Sequence, residues 1–330
     1  MTTFKHNGLY LTFGGSYLTQ PTPDLAFRIL VDTTKDGSAS NTMIIPTNGT
    51  GYDFSIDWGD GTIENISGTT PTTSHVYSSG GEYEIAITGV FQQIRFNNGG
   101  DKLKLLQVLN WGCYGLNGVD QNAAFTGCSN LIKIADDFDY MESILINGVS
   151  MFSNCGLTSL PVNLKLNNLV NGATMFANNS ISSLPENMSL NSLTTGISMF
   201  RYNPLLSLPE VMELSSLTSC ASMFRDTDLT TLPTLMTLDS ITVCYTMFYN
   251  TPITSIANLS LNSMTDGDMI FNSTINTEEY SNLLIKMQAN NVNTGVRFGA
   301  GTSKYNPSAI TARNALVARG WTIIDGGLVT

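Results

Sequence analysis

The chain has 330 residues, of which 42% are apolar and only 12% charged, and its formal net charge is −11. Because an average soluble domain is about 25% charged, Ser, Thr and Asn must supply much of the polar surface, which favours β-rich coils and turns. The acidic balance argues against a nucleic-acid partner, since it repels phosphate groups. No stretch approaches the roughly 18 apolar residues of a membrane span, so no membrane insertion is predicted.

Residues 1–25 are predicted to form a separate N-terminal segment. Apolar and polar residues alternate from position 9 to 13 before Gly14-Gly15 ends the run, which indicates a short strand. Two interpretations remain open: a strand donated to the following domain, or an arm that docks on another subunit by strand addition. The residues predicted to form the docking arm are Leu9, Tyr10, Leu11, Phe13 and Tyr17. No basic segment followed by an apolar run is present, so no secretory signal peptide is expected.

Residues 26–97 are predicted to form a small β-sandwich, because short segments of strand character recur between turns. The segments are 27–31, 53–58, 73–77 and 81–87. We expect glycines to supply the positive φ of the turn at Trp58-Gly59-Asp60-Gly61, and Asp60 to bond its own backbone. His75 is expected to pack on Trp58 or to bond a carbonyl. The nearby carboxylates lack the further oxygen ligands of a calcium loop, so no metal site is predicted.

This domain resembles the PKD-type immunoglobulin-like family. The resemblance lies in the Trp-Gly-Asp-Gly turn, the His-x-Tyr at 75–77 and the Gly-x-Tyr at 81–83, which an alternating strand follows. It covers residues 26–97 and implies an extracellular-type spacer or binding module.

Residues 98–270 are predicted to form a leucine-rich-repeat solenoid with an N-terminal cap. A Met-Phe pair recurs every 24 residues, and a Leu-Pro pair, replaced by Ile-Ala in the last repeat, follows nine residues after each Met. The Met residues are Met151, Met175, Met199, Met223 and Met247. A fixed period between 20 and 29 residues is typical of leucine-rich repeats, whose coils bury their apolar faces on one another. The apolar run at 103–109 could cap the first coil.

Three details of the repeat lead to further expectations. The Leu-Thr-Ser-Leu piece suits a short strand, and the Ser-Leu-Thr piece before each Met-Phe could start a helical turn. Asn154, Asn178 and Asn250 share one slot and could form a side-chain ladder to backbone groups. The five cysteines are expected to be small buried residues, with a disulfide between Cys220 and Cys244 as the alternative.

Residues 271–330 are predicted to form an α/β C-terminal cap. One helix is expected at 277–288, with Thr277 as its cap, and a second helix at 308–319. A closing strand is expected at 321–325. The array and this tail resemble the BspA-like leucine-rich repeat family, through Met-Phe-x-x-Cys-x-Leu at 151–157 and Gly-Trp-Thr-Ile-Ile-Asp-Gly-Gly at 320–327. That resemblance implies a repeat protein of the cell exterior.

The sequence predicts no catalytic residues, no cofactor and no metal. The two histidines, His6 and His75, lie outside the array, so a Ser-His-Asp arrangement cannot form within it from array residues alone. The predicted function is therefore non-enzymatic. The candidate binding residues are the variable ones that follow each Phe, since Tyr and Arg are common interface anchors: Arg201, Tyr202, Arg225, Asp226 and Tyr249.

Two functions remain open at this point. The first is a structural protein of a phage virion, a capsid decoration or tail-associated protein on the particle exterior. Its partners would be other virion proteins, bound through the N-terminal arm, and a bacterial surface protein or glycan. The second is a BspA-like adhesin on the bacterial cell surface or in the medium.

Overall fold

The computed structural model describes residues 4–6, 9–11, 24–69, 71–115, 120–236, 238–257 and 259–330. Within these residues the protein is β-rich and has few helices. None of the helices there is both long and apolar enough to cross a membrane.

The N-terminal segment contains a small antiparallel hairpin. Strand β1 (Phe4–His6) pairs with strand β2 (Leu9–Leu11), and His6 lies opposite Leu9. The strand predicted from position 9 is thus present over its first three residues. Phe13 and Tyr17 of the predicted arm lie outside the described residues.

The next unit is built from two antiparallel sheets. Its strands are β3 (Phe27–Asp32), β4 (Thr42–Ile45), β5 (Tyr52–Asp57), β6 (Ile63–Gly68), β7 (Thr73–Val76), β8 (Glu82–Val90) and β9 (Leu105–Asn110). Five strands form one sheet in the order β6-β5-β8-β3-β9, and β4 pairs with β7. The four predicted strands are confirmed within a few residues at their ends. The alternation in β5 buries Phe54 and Ile56 while Asp53 faces water, as one face of a sheet requires.

The turn at residues 58–61 behaves as predicted. Gly59 and Gly61 have φ of +83° and +93°. A Cβ on Gly59 would lie 2.4 Å from the carbonyl oxygen of Glu84, so a side chain there would collide with the neighbouring strand. Asp60 accepts a hydrogen bond from the backbone N–H of Thr62 at 3.0 Å. The ring of His75 stacks on Trp58, with centroids 5.2 Å apart.

Strand β9 connects this unit to the repeats. It comes after residue 97, so the five-stranded sheet extends past the predicted boundary between sandwich and array. On one side β9 pairs with β3, and on the other Gln107 bridges to Lys133 of the following coil. Leu105 and Val108, both from the predicted capping run, are buried. The sequence did not indicate this strand, because its apolar residues do not alternate with polar ones.

A buried ion pair lies just before β9. The Asp101 and Lys104 side chains are fully buried, with Nζ and Oδ1 3.1 Å apart. Lys104 Nζ also donates to the carbonyls of Ala39 and Thr42 at 2.8 and 2.7 Å, and Asp101 accepts from the backbone N–H groups of Ser38 and Ile44. The pair therefore fixes the loop between β3 and β4 to the start of the array.

The repeats stack as parallel coils. Equivalent residues of neighbouring coils form parallel bridges, from Asn147 to Asn171 and onward to Asp266. Within each coil, alternate backbone N–H groups donate to the next coil, as Gly172 and Thr174 do to the carbonyls of Thr195 and Ile197. The Phe rings form one continuous stack, with neighbouring centroids 5.3 to 5.7 Å apart and planes within 9°. Its members are Phe125, Phe152, Phe176, Phe200, Phe224, Phe248 and Phe271.

Two local predictions about the coil are wrong. The regular parallel bridging falls on the piece just before Met-Phe, for example at Thr195 and Ser219, where a helical turn was expected. The Leu-Thr-Ser-Leu piece, expected as a strand, forms a bridge between Thr231 and Ser255, and in the other described coils of residues 151–270 it forms single hydrogen bonds to the neighbouring coil. The small residue three places before each Met, such as Gly172, leaves room for a Met side chain of the next coil, since a Cβ on Gly172 would lie 3.1 Å from Met199 Sδ.

The C-terminal unit continues the stack as a small α/β layer. Strands β10 (Asp266–Phe271), β11 (Arg297–Ala300) and β12 (Thr322–Ile324) form a parallel sheet in that order. The described residues contain three α-helices: α1 (Asp139–Ile144), which lies before the regular repeats, and α2 (Thr277–Asn290) and α3 (Ile310–Ala318) in this unit. The predicted helices and closing strand are thus present. The cap of α2 is Asn276 rather than Thr277, because Asn276 Oδ1 accepts from the N–H groups of Glu278 and Glu279.

All five cysteines are free thiols, and all but the partly buried Cys113 are buried. The expectation of small buried residues is confirmed for these four, and the alternative of a disulfide between Cys220 and Cys244 is not observed.

Candidate binding site at the coil edge

The backbone of each repeat creates a turn immediately after the stacked Phe. The second residue after Phe has a left-handed conformation in every regular coil, with φ between +56° and +58°. These residues are Asn154, Asn178, Tyr202, Asp226 and Asn250. Asn and Asp tolerate this region better than other non-glycine residues, which explains their recurrence. Tyr202 occupies the same strained position, which directs its side chain to the coil edge, where 44% of it is exposed.

The structure brings the five predicted binding residues together. We call Arg201, Tyr202, Arg225, Asp226 and Tyr249 the coil-edge patch. They occupy two adjacent slots on three successive coils, so they lie side by side in the stack.

Two arginine–tyrosine pairs form the patch. The guanidinium of Arg201 lies over the ring of Tyr202, 4.4 Å from its centroid, and also donates to the Tyr202 hydroxyl at 2.8 Å. One coil further, the guanidinium of Arg225 lies over the ring of Tyr249 at 4.9 Å. Cation–π contacts of this kind hold flexible arginines in place and leave a flat surface of rings and guanidinium groups.

Asp226 links the two pairs. Its Oδ2 accepts from Arg225 Nε at 3.1 Å and lies 3.8 Å from Arg201 Nε. Its Oδ1 accepts from the side-chain amide of Asn250 at 2.7 Å, so Asn250, which the sequence placed in the predicted ladder and not in the binding site, is a third polar contact of Asp226. Position 250 could have been found from its slot, which it shares with Asp226.

The patch is a local excess of positive charge on an acidic array. Residues 151–270 contain eight acidic residues and only three basic ones, Lys165, Arg201 and Arg225. Two of the three basic residues therefore lie together here, with one carboxylate between them. About 30% of each arginine side chain is exposed, whereas the Nε of Arg201 is buried.

The side-chain ladder predicted for Asn154, Asn178 and Asn250 lies one position later. Asn179 and Asn203, both buried, bond backbone groups of two neighbouring coils: the Asn179 amide donates to the carbonyls of Phe152 and Phe176, and its Oδ1 accepts from the N–H of Leu157. Thr227 and Thr251 fill the same slot further along. The sequence could not show which residue of the Asn178-Asn179 pair forms the ladder, since both residues are Asn.

The remaining polar residues that the sequence singled out have structural partners. His75 Nε2 lies 2.7 Å from Asp60 Oδ2, a carboxylate partner in place of the expected carbonyl. The hydrogen bond from His75, joined by that from the Thr62 N–H, lowers the pKa of Asp60. Among the residues that the structure describes, no three His, Cys, Asp or Glu side chains are grouped so as to hold a metal ion.

Comparisons with known protein families, with characterised proteins and with solved structures find no match to this chain.

Proposed function

We propose that the protein is a non-enzymatic structural and adhesive component of the exterior of a phage particle, as a capsid decoration or tail-associated protein. In this proposal residues 26–97 are a PKD-like spacer domain, and the repeats form a BspA-like leucine-rich-repeat solenoid with an α/β cap. The stacked parallel coils with their 24-residue period, the continuous Phe stack and the buried Asn slot support the solenoid assignment.

The observation that carries the proposal is the coil-edge patch on a rigid support. Arg225 and Tyr249 directly follow fully buried rings of the Phe stack, Tyr202 lies two residues after another, and their backbones bond the neighbouring coils. Side chains on such a support lose little further entropy when a partner binds, which favours a recognition surface. Asp226 accepts from Arg225 and from Asn250, and Arg201 donates to the Tyr202 hydroxyl, so these contacts orient the side chains of the patch.

The partner of the patch is proposed to be a bacterial surface protein or glycan that carries negative charge. Arginine supplies planar donors to carboxylate or phosphate groups, and the tyrosine rings supply flat contact area. The rest of the array is acidic, so attraction is concentrated at this point on the stack.

The location is tested by labelling. An antibody raised against residues 24–330 should decorate particles purified from a lysate and leave the surface of uninfected cells unlabelled. Label on cells and none on particles would contradict the virion assignment and support a cell-surface adhesin.

The patch is tested by binding of the purified protein to intact bacterial cells. The combined variant Tyr202→Ala, Arg225→Ala and Tyr249→Ala should weaken binding at least tenfold, or about 1.4 kcal/mol, without lowering the unfolding temperature by more than a few degrees. Lys165→Ala is the matched control, since it removes the third basic residue of the array at an exposed site away from the patch. Equal binding by the variant and the control would remove the patch from the proposal.

A further inference from the structure

The terminal nitrogens of Arg225 are donors of the coil-edge patch that the protein itself leaves free. Arg225 Nε donates to Asp226 Oδ2 at 3.1 Å. Within the described part of the chain, Nη1 and Nη2 have no hydrogen-bond partner, and neither atom is buried. Together they form the end of a planar guanidinium, which can hold the two oxygens of an acid through parallel hydrogen bonds.

A chain of contacts holds Arg225 in this orientation. Its guanidinium lies over the ring of Tyr249, 4.9 Å from the centroid. Asp226, which fixes Nε, is itself fixed by the side-chain amide of Asn250 at 2.7 Å. The backbone N–H of Asn250 in turn donates to Asn272 Oδ1 at 2.6 Å. The free end of Arg225 therefore needs little further ordering when an acid binds.

Arg201 has a different part in the patch, because it orients Tyr202. Its Nε is buried without a partner, and its Nη2 donates to the Tyr202 hydroxyl at 2.8 Å. Since that hydroxyl accepts from Arg201, its own proton remains free to be donated. The backbone N–H of Tyr202 donates to the carbonyl of Arg225 at 3.1 Å, so the tyrosine and the free guanidinium end stand on directly bonded coils.

The patch is short along the stack. In the two coils before it, the same two slots hold small neutral residues: Ser153, Asn154, Ala177 and Asn178. Neighbouring strands lie about 4.8 Å apart, so the three coils of the patch span about 10 Å. A stable protein–protein interface covers about 800 Å² of each partner. The length of the patch therefore suits one or two sugar rings better than a protein surface.

We infer that the patch binds a carboxylate group of an acidic polysaccharide, and that Arg225 is the residue that recognises the acid. The inference rests on the proposed function and narrows its partner to a glycan. The terminal nitrogens of Arg225 donate to the two carboxylate oxygens, and the Tyr202 hydroxyl donates to an oxygen of the sugar. The rings of Tyr202 and Tyr249 supply the flat apolar contact for the sugar ring.

The position of Asp226 favours a planar acid of single charge. Its Oδ2 accepts from the same guanidinium, so it repels any anion bound at the free end. A phosphate monoester carries about −1.5 to −2 charges at pH 7 and is repelled more strongly than a carboxylate. A carboxylate is also planar, as the guanidinium is, so both of its oxygens reach the two nitrogens in one plane.

Polymers of sugar acids provide the first test. The full chain should be retarded in electrophoresis gels that contain polygalacturonate, alginate or polysialic acid. The same polymers with their carboxylates reduced to alcohols should cause no retardation, and polyglutamate, which has carboxylates but no sugar, should bind at least tenfold more weakly. The net charge of the chain is −11, so general attraction to a polyanion does not explain retardation.

Arg225→Lys separates recognition of the acid from attraction by charge. Lysine keeps the positive charge but has no planar pair of donors, so the dissociation constant for the retarding polymer should rise at least tenfold. Arg297→Lys is the matched control: it makes the same substitution at an exposed arginine that pairs with Asp268 in the C-terminal unit. The control should bind like the parent chain, and both variants should unfold within a few degrees of it.

Bacterial cells that the protein binds provide the second test. Reduction of the carboxylates in polysaccharide extracted from these cells should abolish its ability to compete with the cells for the protein. The inference is overturned if no carboxylated polymer binds, if the reduced polymers bind equally well, or if Arg225→Lys binds like the parent.

The cell experiments also separate this inference from the proposed function. If protease treatment of the cells abolishes binding and carboxylate reduction of their polysaccharide has no effect, the partner is a protein and the inference is wrong, while the adhesive role of the patch stands. If the combined variant of Tyr202, Arg225 and Tyr249 binds cells like the parent, the adhesive role of the patch is itself wrong.

Discussion

The side-chain amide of Asn203 donates a hydrogen bond to the backbone carbonyl of Phe176, in the preceding coil, with Nδ2 and O 2.8 Å apart. The same nitrogen lies 3.1 Å from the carbonyl of Phe200 in its own coil, and Oδ1 accepts from the N–H of Ile181 at 3.1 Å. Asn203 is 1% exposed. One buried side chain thus satisfies backbone groups of two coils that otherwise have no access to water.

Asn203→Ala should lower the free energy of unfolding by about 2–4 kcal/mol, because it leaves buried backbone groups without partners. Asn203→Thr should cost less. Thr227 and Thr251 fill the same slot and bond the carbonyls of Phe224 and Phe248 at 2.8 and 2.7 Å. Urea unfolding followed by circular dichroism measures both variants. Equal losses for Ala and Thr would show that the Thr hydroxyl does not replace the bonds of the Asn amide at this position.

The Phe stack makes a second prediction. The ring of Phe200 lies between those of Phe176 and Phe224, with centroids 5.7 Å away on each side. Phe200→Ala should destabilise by about 3–5 kcal/mol and Phe200→Leu by less, because the cavity is smaller. Leu206→Ala, at a side chain 63% exposed in the same coil, should change stability by under about 0.5 kcal/mol. A loss below 1 kcal/mol for Phe200→Ala would contradict the structural importance of the stack.

The buried thiols give a chemical prediction. Burial raises the pKa of Cys155 to about 12, and it also raises the pKa of Cys128, Cys220 and Cys244. Because the thiolate is the reactive form, these four should not react with a disulfide reagent at pH 8 while the protein is folded. All five cysteines should react after denaturation. Rapid labelling of any of the four in the native protein, located by mass spectrometry, would contradict the packing described here.

Much of the array could be predicted from its period, because residues of one type at a fixed spacing occupy equivalent positions in successive coils. The Met and Phe residues are buried as the pattern required. The period does not say which of two neighbouring residues turns inward. Asn178 has φ of +56° and is exposed, whereas Asn179 is buried and bonded. Both are Asn for different reasons: the first for backbone conformation, the second for hydrogen bonding.

The two-sheet N-terminal unit shows a different limit of prediction from sequence. Its strands with clear alternation, such as β5, could be read from the sequence, but β9 could not, because its apolar residues do not alternate with polar ones. The coil-edge patch was predictable as a set of variable residues. Its geometry was not, because the central place of Asp226 depends on contacts with Arg201, 25 residues earlier, and Asn250, 24 residues later.

Lowering the pH should destabilise the folded protein at the turn that contains Asp60. The hydrogen bonds from His75 and from the Thr62 N–H lower the pKa of Asp60, so the folded protein favours the carboxylate. A lowered pKa gives stability that is present above the unfolded value of about 3.9 and is lost as the pH falls through the folded value.

Asp60→Asn should therefore be less stable than the parent at pH 6, and the difference should shrink below pH 4. Fluorescence of Trp58, on which His75 stacks, follows unfolding near this site. Asp36→Asn, which removes an exposed carboxylate from the loop after β3, is the control. A difference between parent and Asp60→Asn that stays constant from pH 6 to pH 3 would show that the Asp60 carboxylate adds no pH-dependent stability.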